Sequence, residues 1–260
     1  MRKREIVAAV ILPVLYLYIM KLPPVFFLAL LALACLMAQA EFYSMYHVRG
    51  ISKLFGLGYG LFYLLMYYLG VQDILFVVVF FLLSVVIRLF SGDRSPERAL
   101  QDIAPVVIGF LYIPFILSLL LYIRLVGPGW IIYTGVTVWA SDSFAYYVGK
   151  NMGKHKLYPS MSPKKTVEGA AGSLVGGMVF SCIIKYLLLD RMSITYALLL
   201  GAVIGAIAVV GDLSESMFKR DSGVKDSSVL IPGHGGVLDK LDGIIFATPV
   251  VFIFLRYIFR

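Results

Sequence analysis

Nine apolar segments follow one another along this chain, at roughly 5–21, 24–40, 54–70, 73–90, 103–124, 130–149, 169–189, 194–213 and 243–259. Each is close to the about 20 residues that an α-helix needs to cross the roughly 30 Å hydrocarbon core of a bilayer. No water is available there for backbone N–H and C=O groups, so such segments must close their hydrogen bonds internally, as helices. The sequence therefore predicts an all-α, polytopic membrane protein with about nine transmembrane helices. Composition agrees: 60% of the 260 residues are hydrophobic and only 15% are charged. Soluble domains are nearer about 45–50% and about 25%. A soluble core cannot hide this much apolar surface, because a domain of this size still exposes about a quarter of its unfolded area.

Two features near the N-terminus and the cysteines have plain readings. Met1-Arg-Lys-Arg4 followed by an apolar run imitates a signal peptide. The run from Ile6 to Ala40 is much longer than a signal core of about 7–15 residues, and Pro23-Pro24 divide it. It is read as two retained spans. Cys35 and Cys182 both lie inside apolar runs and are expected to be small buried hydrophobes.

Charge sets orientation. With the N-terminus placed inside and the loops assigned alternately, 17 of the 23 Lys and Arg residues fall inside and 6 outside. That bias predicts N-in, C-out and an odd number of spans. The net charge of +8 then reflects inner loops and anionic headgroups, so no nucleic-acid partner is expected. Two inner loops differ in sign. Segment 150–168 holds five lysines and one acid, whereas segment 211–243 holds six acids and four basic residues. Carboxylates suit metal ions and lysines suit phosphates.

Four stretches carry chemistry. In Gly211-Asp212-Leu-Ser-Glu215-Ser216-Met-Phe-Lys219-Arg220, positions 212, 215/216 and 219 share a face if the eighth span continues as a helix. The plain alternative is a capped helix end with a local ion pair. In Pro232-Gly-His234-Gly235-Gly236-Val-Leu-Asp239-Lys240-Leu-Asp242-Gly243, the glycines let backbone N–H groups approach an anion. Asp239 and Asp242, three apart, would point the same way on a helical turn. Converging carboxylates favour Mg2+ or a similar hard cation. The alternative for His234 is a residue that fills a turn. Asp142 falls inside a predicted span, either as a partnered structural acid or as a carboxylate facing a polar cavity. Ser162-Pro-Lys164-Lys165-Thr166-Val-Glu168-Gly169 precedes a Gly-rich helix that Thr166 would cap. It reads either as a phosphate site or as a basic loop touching lipid headgroups.

The run from Ser216 to Asp242 resembles the signature of phosphatidate cytidylyltransferases (CDP-diacylglycerol synthases). Asp142 with Gly149 and Gly153, and the stretch from Ser162 to Gly169, resemble the same family. The likeness is dense over about 139–243. It departs from the family pattern at Lys240, where arginine is usual; charge is kept and the bidentate fork is lost. The resemblance implies an N-terminal helical membrane region over 1–125 and a catalytic membrane region over 126–260. It implies the reaction of CTP with phosphatidate to give CDP-diacylglycerol and pyrophosphate. It implies Mg2+ as cofactor, with room for a second, monovalent cation, and it allows a homodimer. Asp212, Asp239 and Asp242 become the expected metal ligands. Lys219, Arg220, Lys225, Asp226, His234 and Asp142 become the expected catalytic residues. Ser162, Lys164, Lys165, Ser216, Gly235, Gly236 and Lys240 become the expected substrate contacts, with Lys225 and the glycine loop closing over pyrophosphate. The expected setting is the cell (inner) membrane, with the active site facing the cytoplasm for CTP and the bilayer for the lipid.

Two other readings share these residues. A CTP-dependent lipid or polyprenol kinase would use the same side of the membrane but transfer the γ-phosphoryl group. An ion-coupled transporter would suit Asp142 and Gly-rich helices, but its site belongs near the midplane and the charges here gather on one side. The CDP-alcohol phosphotransferase pattern fails, since Asp242-Gly243 is followed by Ile-Ile-Phe-Ala. Two outcomes are expected. Asp239→Asn abolishes metal-dependent CTP turnover while the protein still inserts and folds, checked by activity and detergent gel filtration. Lys240→Arg keeps activity, checked by the same assay.

Overall fold

The break at Pro23-Pro24 is where the first turn of the chain forms. In a computed structural model, which describes residues 13–91, 95–228 and 235–259, helix α1 occupies 13–21. Pro24 then opens α2 (Pro24–Met45), a position where proline has no N–H to lose and its fixed φ suits the helix. There follow α3 (Gly50–Tyr68), α4 (Leu75–Phe90), α5 (Ala99–Phe110) with a π turn at Leu111–Phe115, and α6 (Leu119–Val126). The second half runs α7 (Pro128–Met152), β1 (Lys156–Tyr158), β2 (Ser162–Thr166), α8 (Val167–Leu188), α9 (Ile194–Asp221) and α10 (Leu238–Ile253), which ends in a π turn at Phe254–Ile258.

All nine predicted apolar segments fall on helix, the first of them within the described residues 13–21. Among the described residues, five stretches are long and apolar enough to cross a membrane: Pro24–Met45, Pro96–Val126, Val167–Leu188, Ile194–Asp221 and Leu238–Ile258. The other apolar segments fall short for physical reasons. The α4 helix is apolar but has 16 residues, and α7 carries Thr134, Thr137, Ser141, Asp142 and Ser143 in its middle. Leu82, Leu89, Tyr186 and Leu199 stand exposed on outer faces, which is what a lipid-facing surface requires. The chain is an all-α polytopic membrane protein with one small hairpin.

Two expected loops are more ordered than the sequence suggested. Within 150–168, β1 and β2 pair antiparallel, with Lys156 opposite Thr166 and Tyr158 opposite Ser162. Within 211–243, α9 continues to Asp221 and α10 begins at Leu238. The Glu215–Lys219 pair, one turn apart at 2.7 Å, supports that extension.

Polar groups lock the helices together. The Gln39 amide donates to Tyr43 Oη and to the Gly56 carbonyl, and Tyr43 Oη donates to the Val106 carbonyl, joining α2, α3 and α5. The Tyr59, Phe80 and Phe110 rings pack beside that network. In the second half, the Gly-rich faces of α8 and α9 bring backbone against backbone at Gly177 and Gly201. Ser173 and Ser181 donate across the same seam to the carbonyls of Gly205 and Ala197. Cys35 is buried, Cys182 is half-buried, and both are free. Gly177→Leu is expected to lower the unfolding temperature in detergent through overpacking of about 1–3 kcal/mol. Gly58→Leu, at a site with open space, is expected to leave it nearly unchanged.

Candidate active site

At 28 residues, α9 is about 42 Å long and outruns the roughly 30 Å hydrocarbon core. Its final turns carry Asp212, Glu215, Ser216 and Lys219 on the side facing α10. The two helices can approach because residue 211 has no side chain; a Cβ there would stand 2.6 Å from the Asp242 carbonyl oxygen. The approach brings Asp212, Glu215 and Asp242 together, with one carboxylate oxygen of each within 4.8 Å of the others. Glu215 is 1% exposed and Asp242 9% exposed. Asp242 accepts from the Gly243 N–H, whereas Glu215 Oε1 has no hydrogen-bond partner among the described residues. Three carboxylates this close repel one another unless positive charge joins them. The all-oxygen donor set and the free Glu215 oxygen fit Mg2+.

Asp239 has a different setting from the one expected. Its carboxylate accepts from Lys219 Nζ at 2.7 Å, from the Gly236 N–H at 2.7 Å and from Ser227 Oγ at 3.0 Å. Lys219, expected to grip phosphate, lies between Glu215 and Asp239 at 2.7 Å from each. It ties α9 to α10. Glu215, which the sequence reading passed over in favour of Ser216, stands in the carboxylate triad; Ser216 is buried beside it.

A distant acid holds the signature loop. Glu41, 3% exposed near the end of α2, accepts from the Val237 and Leu238 N–H groups at 2.9 Å each. It also accepts from Ser227 Oγ at 3.1 Å and Ser228 Oγ at 2.7 Å. Glu41 therefore occupies the positive end of α10. The N–H groups of residues 236–238, the first of them in the glycine loop expected to close over pyrophosphate, are held by Asp239 and Glu41. Gly235 turns the chain with φ +81°, and a Cβ there would collide with the Asp239 carboxylate. His234 lies outside the described residues. Tyr46, just past α2, donates to Asp221 at 2.9 Å and fixes the far end of α9. Burial, reinforced by Asp221, pushes the Tyr46 phenol above its ordinary pKa, so it remains a donor.

The hairpin adds a cation. Within β2, Lys164 is exposed and Lys165 half-buried. Lys165 Nζ lies 2.8 Å from Asp212 Oδ2. Thr166 caps α8 by accepting from the Gly169 N–H at 3.1 Å, as its position predicted. Ser162 is half-buried. Asp142 on α7 is within electrostatic range of Asp212, Lys165 and Lys240, which places it at the rim of the cluster. Lys240, Lys225 and Asp226 are exposed. Arg220, also exposed, donates to the Val224 carbonyl at 3.0 Å and closes the turn after α9.

Beside the charges lies an open apolar cavity of about 940 Å³ lined by α1, α2, α6, α7, α8 and α10. Ile19, Phe27, Trp139 and Ile184 line it, as do Leu241 and Ile244, which flank Asp242 in the sequence. Ser143, next to Asp142, also faces it. Charged cluster and apolar cavity thus share the walls α7 and α10. Sequence reasoning missed Glu41, Glu215 and Ser227. Glu41 carried a signal, as an acid at the end of a long apolar run. Glu215 carried another, being three residues after Asp212 and four before Lys219.

The profile of the cytidylyltransferase family matches residues 2–258. The chain is 48% identical over 123 residues to a phosphatidate cytidylyltransferase of Haemophilus influenzae, covering 46% of this chain and 43% of that protein. It is 42% identical over 129 residues to the one from Bacillus subtilis, covering 50% and 48%. It is 33% identical over 184 residues to the one from Thermotoga maritima, covering 68% of each. The chain thus spans about half the length of the first two relatives. With the family pattern running over residues 2–258, the chain belongs to the cytidylyltransferase family.

Proposed function

We propose that this chain is a phosphatidate cytidylyltransferase that converts CTP and phosphatidate to CDP-diacylglycerol and pyrophosphate. The observation that carries this reading is the shared wall between the carboxylate and lysine cluster and the 940 Å³ apolar cavity. A site with one charged and one apolar compartment suits a reaction between a water-soluble nucleotide and a lipid. The similarity to phosphatidate cytidylyltransferases supports it.

In this reading the phosphate monoester of the lipid attacks the α-phosphorus of CTP, and pyrophosphate leaves. Both partners are anionic, so the site must lower their repulsion. Lys165, half-buried on β2 and paired with Asp212, and Lys240, exposed on α10, supply positive charge within electrostatic range of Asp142. Asp212, Glu215 and Asp242 would hold Mg2+, which neutralises phosphate oxygens in displacements of this kind. Asp239, expected as a ligand, belongs to the site by way of Lys219. That lysine fixes Glu215 and Asp239, and with them the spacing of α9 and α10. Glu41 holds Ser227 and Ser228 against the start of α10. Arg220 and Lys225 lie where a departing pyrophosphate would meet solvent. The phosphate monoester is already a nucleophile near neutral pH, so no covalent enzyme intermediate is required. Catalysis is then mostly positioning and electrostatics.

The same reading includes nine spans, N-in and C-out, in the cell inner membrane with the site on the cytoplasmic side. The 17-to-6 distribution of basic residues supports that orientation. It also includes a second, monovalent cation and a homodimer, each open to direct measurement.

Purified protein in detergent, given CTP, phosphatidate and Mg2+, is expected to release pyrophosphate. Release of CDP would mean γ-phosphoryl transfer and overturn the proposal. Asp242→Asn is expected to lower kcat by about 100-fold or more with an unchanged unfolding temperature in chelator. Glu41→Ala leaves the Val237 and Leu238 N–H groups without their acceptor. It is expected to cost about 100-fold in kcat through misplacement of the loop, with Glu41→Gln intermediate in the same assay.

A further inference from the structure

One polar atom near the cluster has nothing to bond. Tyr112 lies in the π turn at Leu111–Phe115 and is 7% exposed. Its hydroxyl has no hydrogen-bond partner among the described residues. The ring is wedged against α9 and α10, with centroids 5.2 Å from Phe218 and 6.2 Å from Phe246. Those two residues sit one helical turn beyond Glu215 and Asp242. The acidic neighbours of the hydroxyl are Asp242, Glu215 and Asp212, the same three carboxylates that form the triad. Glu215 Oε1 is the second buried oxygen there without a partner.

Two unsatisfied buried oxygens beside one carboxylate triad call for a common explanation, because native structures satisfy most such groups. Packing does not supply it. A phenylalanine ring would fill the gap between Phe218 and Phe246 equally well, without leaving a hydroxyl unpaired. The π turn is itself a local departure from regular helix, of a kind that recurs at functional sites. A phenol can both donate and accept, and a Mg2+ ion held by few protein groups keeps several waters.

We propose that Tyr112 is a positioning residue of the cation site, its hydroxyl donating to a water bound to the divalent ion held by Asp212, Glu215 and Asp242. The inference rests on the metal reading above. Partners of this kind orient the ion's ligands, and their loss typically weakens metal affinity by about 10–100-fold.

The test uses the full chain in detergent, without CTP or lipid, and Mn2+ as the probe. Binding is read by electron paramagnetic resonance, and thermal unfolding is measured in chelator. The wild type is expected to bind Mn2+, and Asp242→Asn to lose it. Tyr112→Phe is expected to bind about 10-fold more weakly or worse. Its unfolding temperature in chelator should be unchanged or higher, since an unpaired hydroxyl has been removed. A Tyr112→Phe protein that binds Mn2+ as tightly as the wild type overturns the proposal. So does one that unfolds earlier in chelator, which would mark the hydroxyl as structural. A wild type that binds no Mn2+ overturns the metal reading, and the Tyr112 role with it.

Discussion

The ammonium of Lys219 is the group on which the site's geometry depends. It bonds Glu215 on its own helix and Asp239 on the next, at 2.7 Å each, while almost wholly enclosed. Charges taken out of water are costly, and a buried pair holds only when its geometry is good and its remaining valences are met. Here the lysine meets two carboxylates, Asp239 meets a backbone N–H and a hydroxyl, and Glu215 keeps one oxygen free for the triad. The spacing of α9 and α10 follows from this contact together with the missing side chain at Gly211. The convergence of Asp212 and Asp242 follows from that spacing.

A second dependence runs between the two halves of the chain. Most of the cluster lies in 126–260, but its loop is held by Glu41 from α2, through four hydrogen bonds to residues more than 180 positions later. The carboxylate takes the position at the start of α10 that would otherwise attract a phosphate. The start of α10 is therefore shaped by the protein's own anions. The first half is a working part of the site as well as a membrane frame.

Much of this was legible in the sequence because membrane helices announce themselves by length and apolarity. The small-residue seam between α8 and α9 and the Thr166 cap were also readable from spacing alone, whereas the extension of α9 was readable only as one of two alternatives. Partner choice among the charged residues was not. Asp239 and Asp242 are both three-apart acids beside a glycine loop, yet one faces Lys219 and the other faces Asp212, because α9 crosses at a particular height. Glu215 and Ser216 are neighbours, and helical periodicity admits either on the shared face. Glu41 acts across a contact that exists only after the bundle closes, so no local pattern points to its partners. The hairpin was hidden because five lysines and a proline mask the alternation of so short a strand.

That hairpin has a consequence for how the site can vary. Lys165 reaches Asp212 from a five-residue strand whose pairing with β1 is irregular, with Lys164 exposed and Lys165 half-buried. The anchor of that strand is its last residue: Thr166 lies opposite Lys156 and also caps α8. Lys165 is one residue from this anchor, whereas the turn between Tyr158 and Ser162 is at the other end of the strand. A change of length in that turn would therefore leave the ammonium in place. Variation at the hairpin tip is uncoupled from the cationic wall.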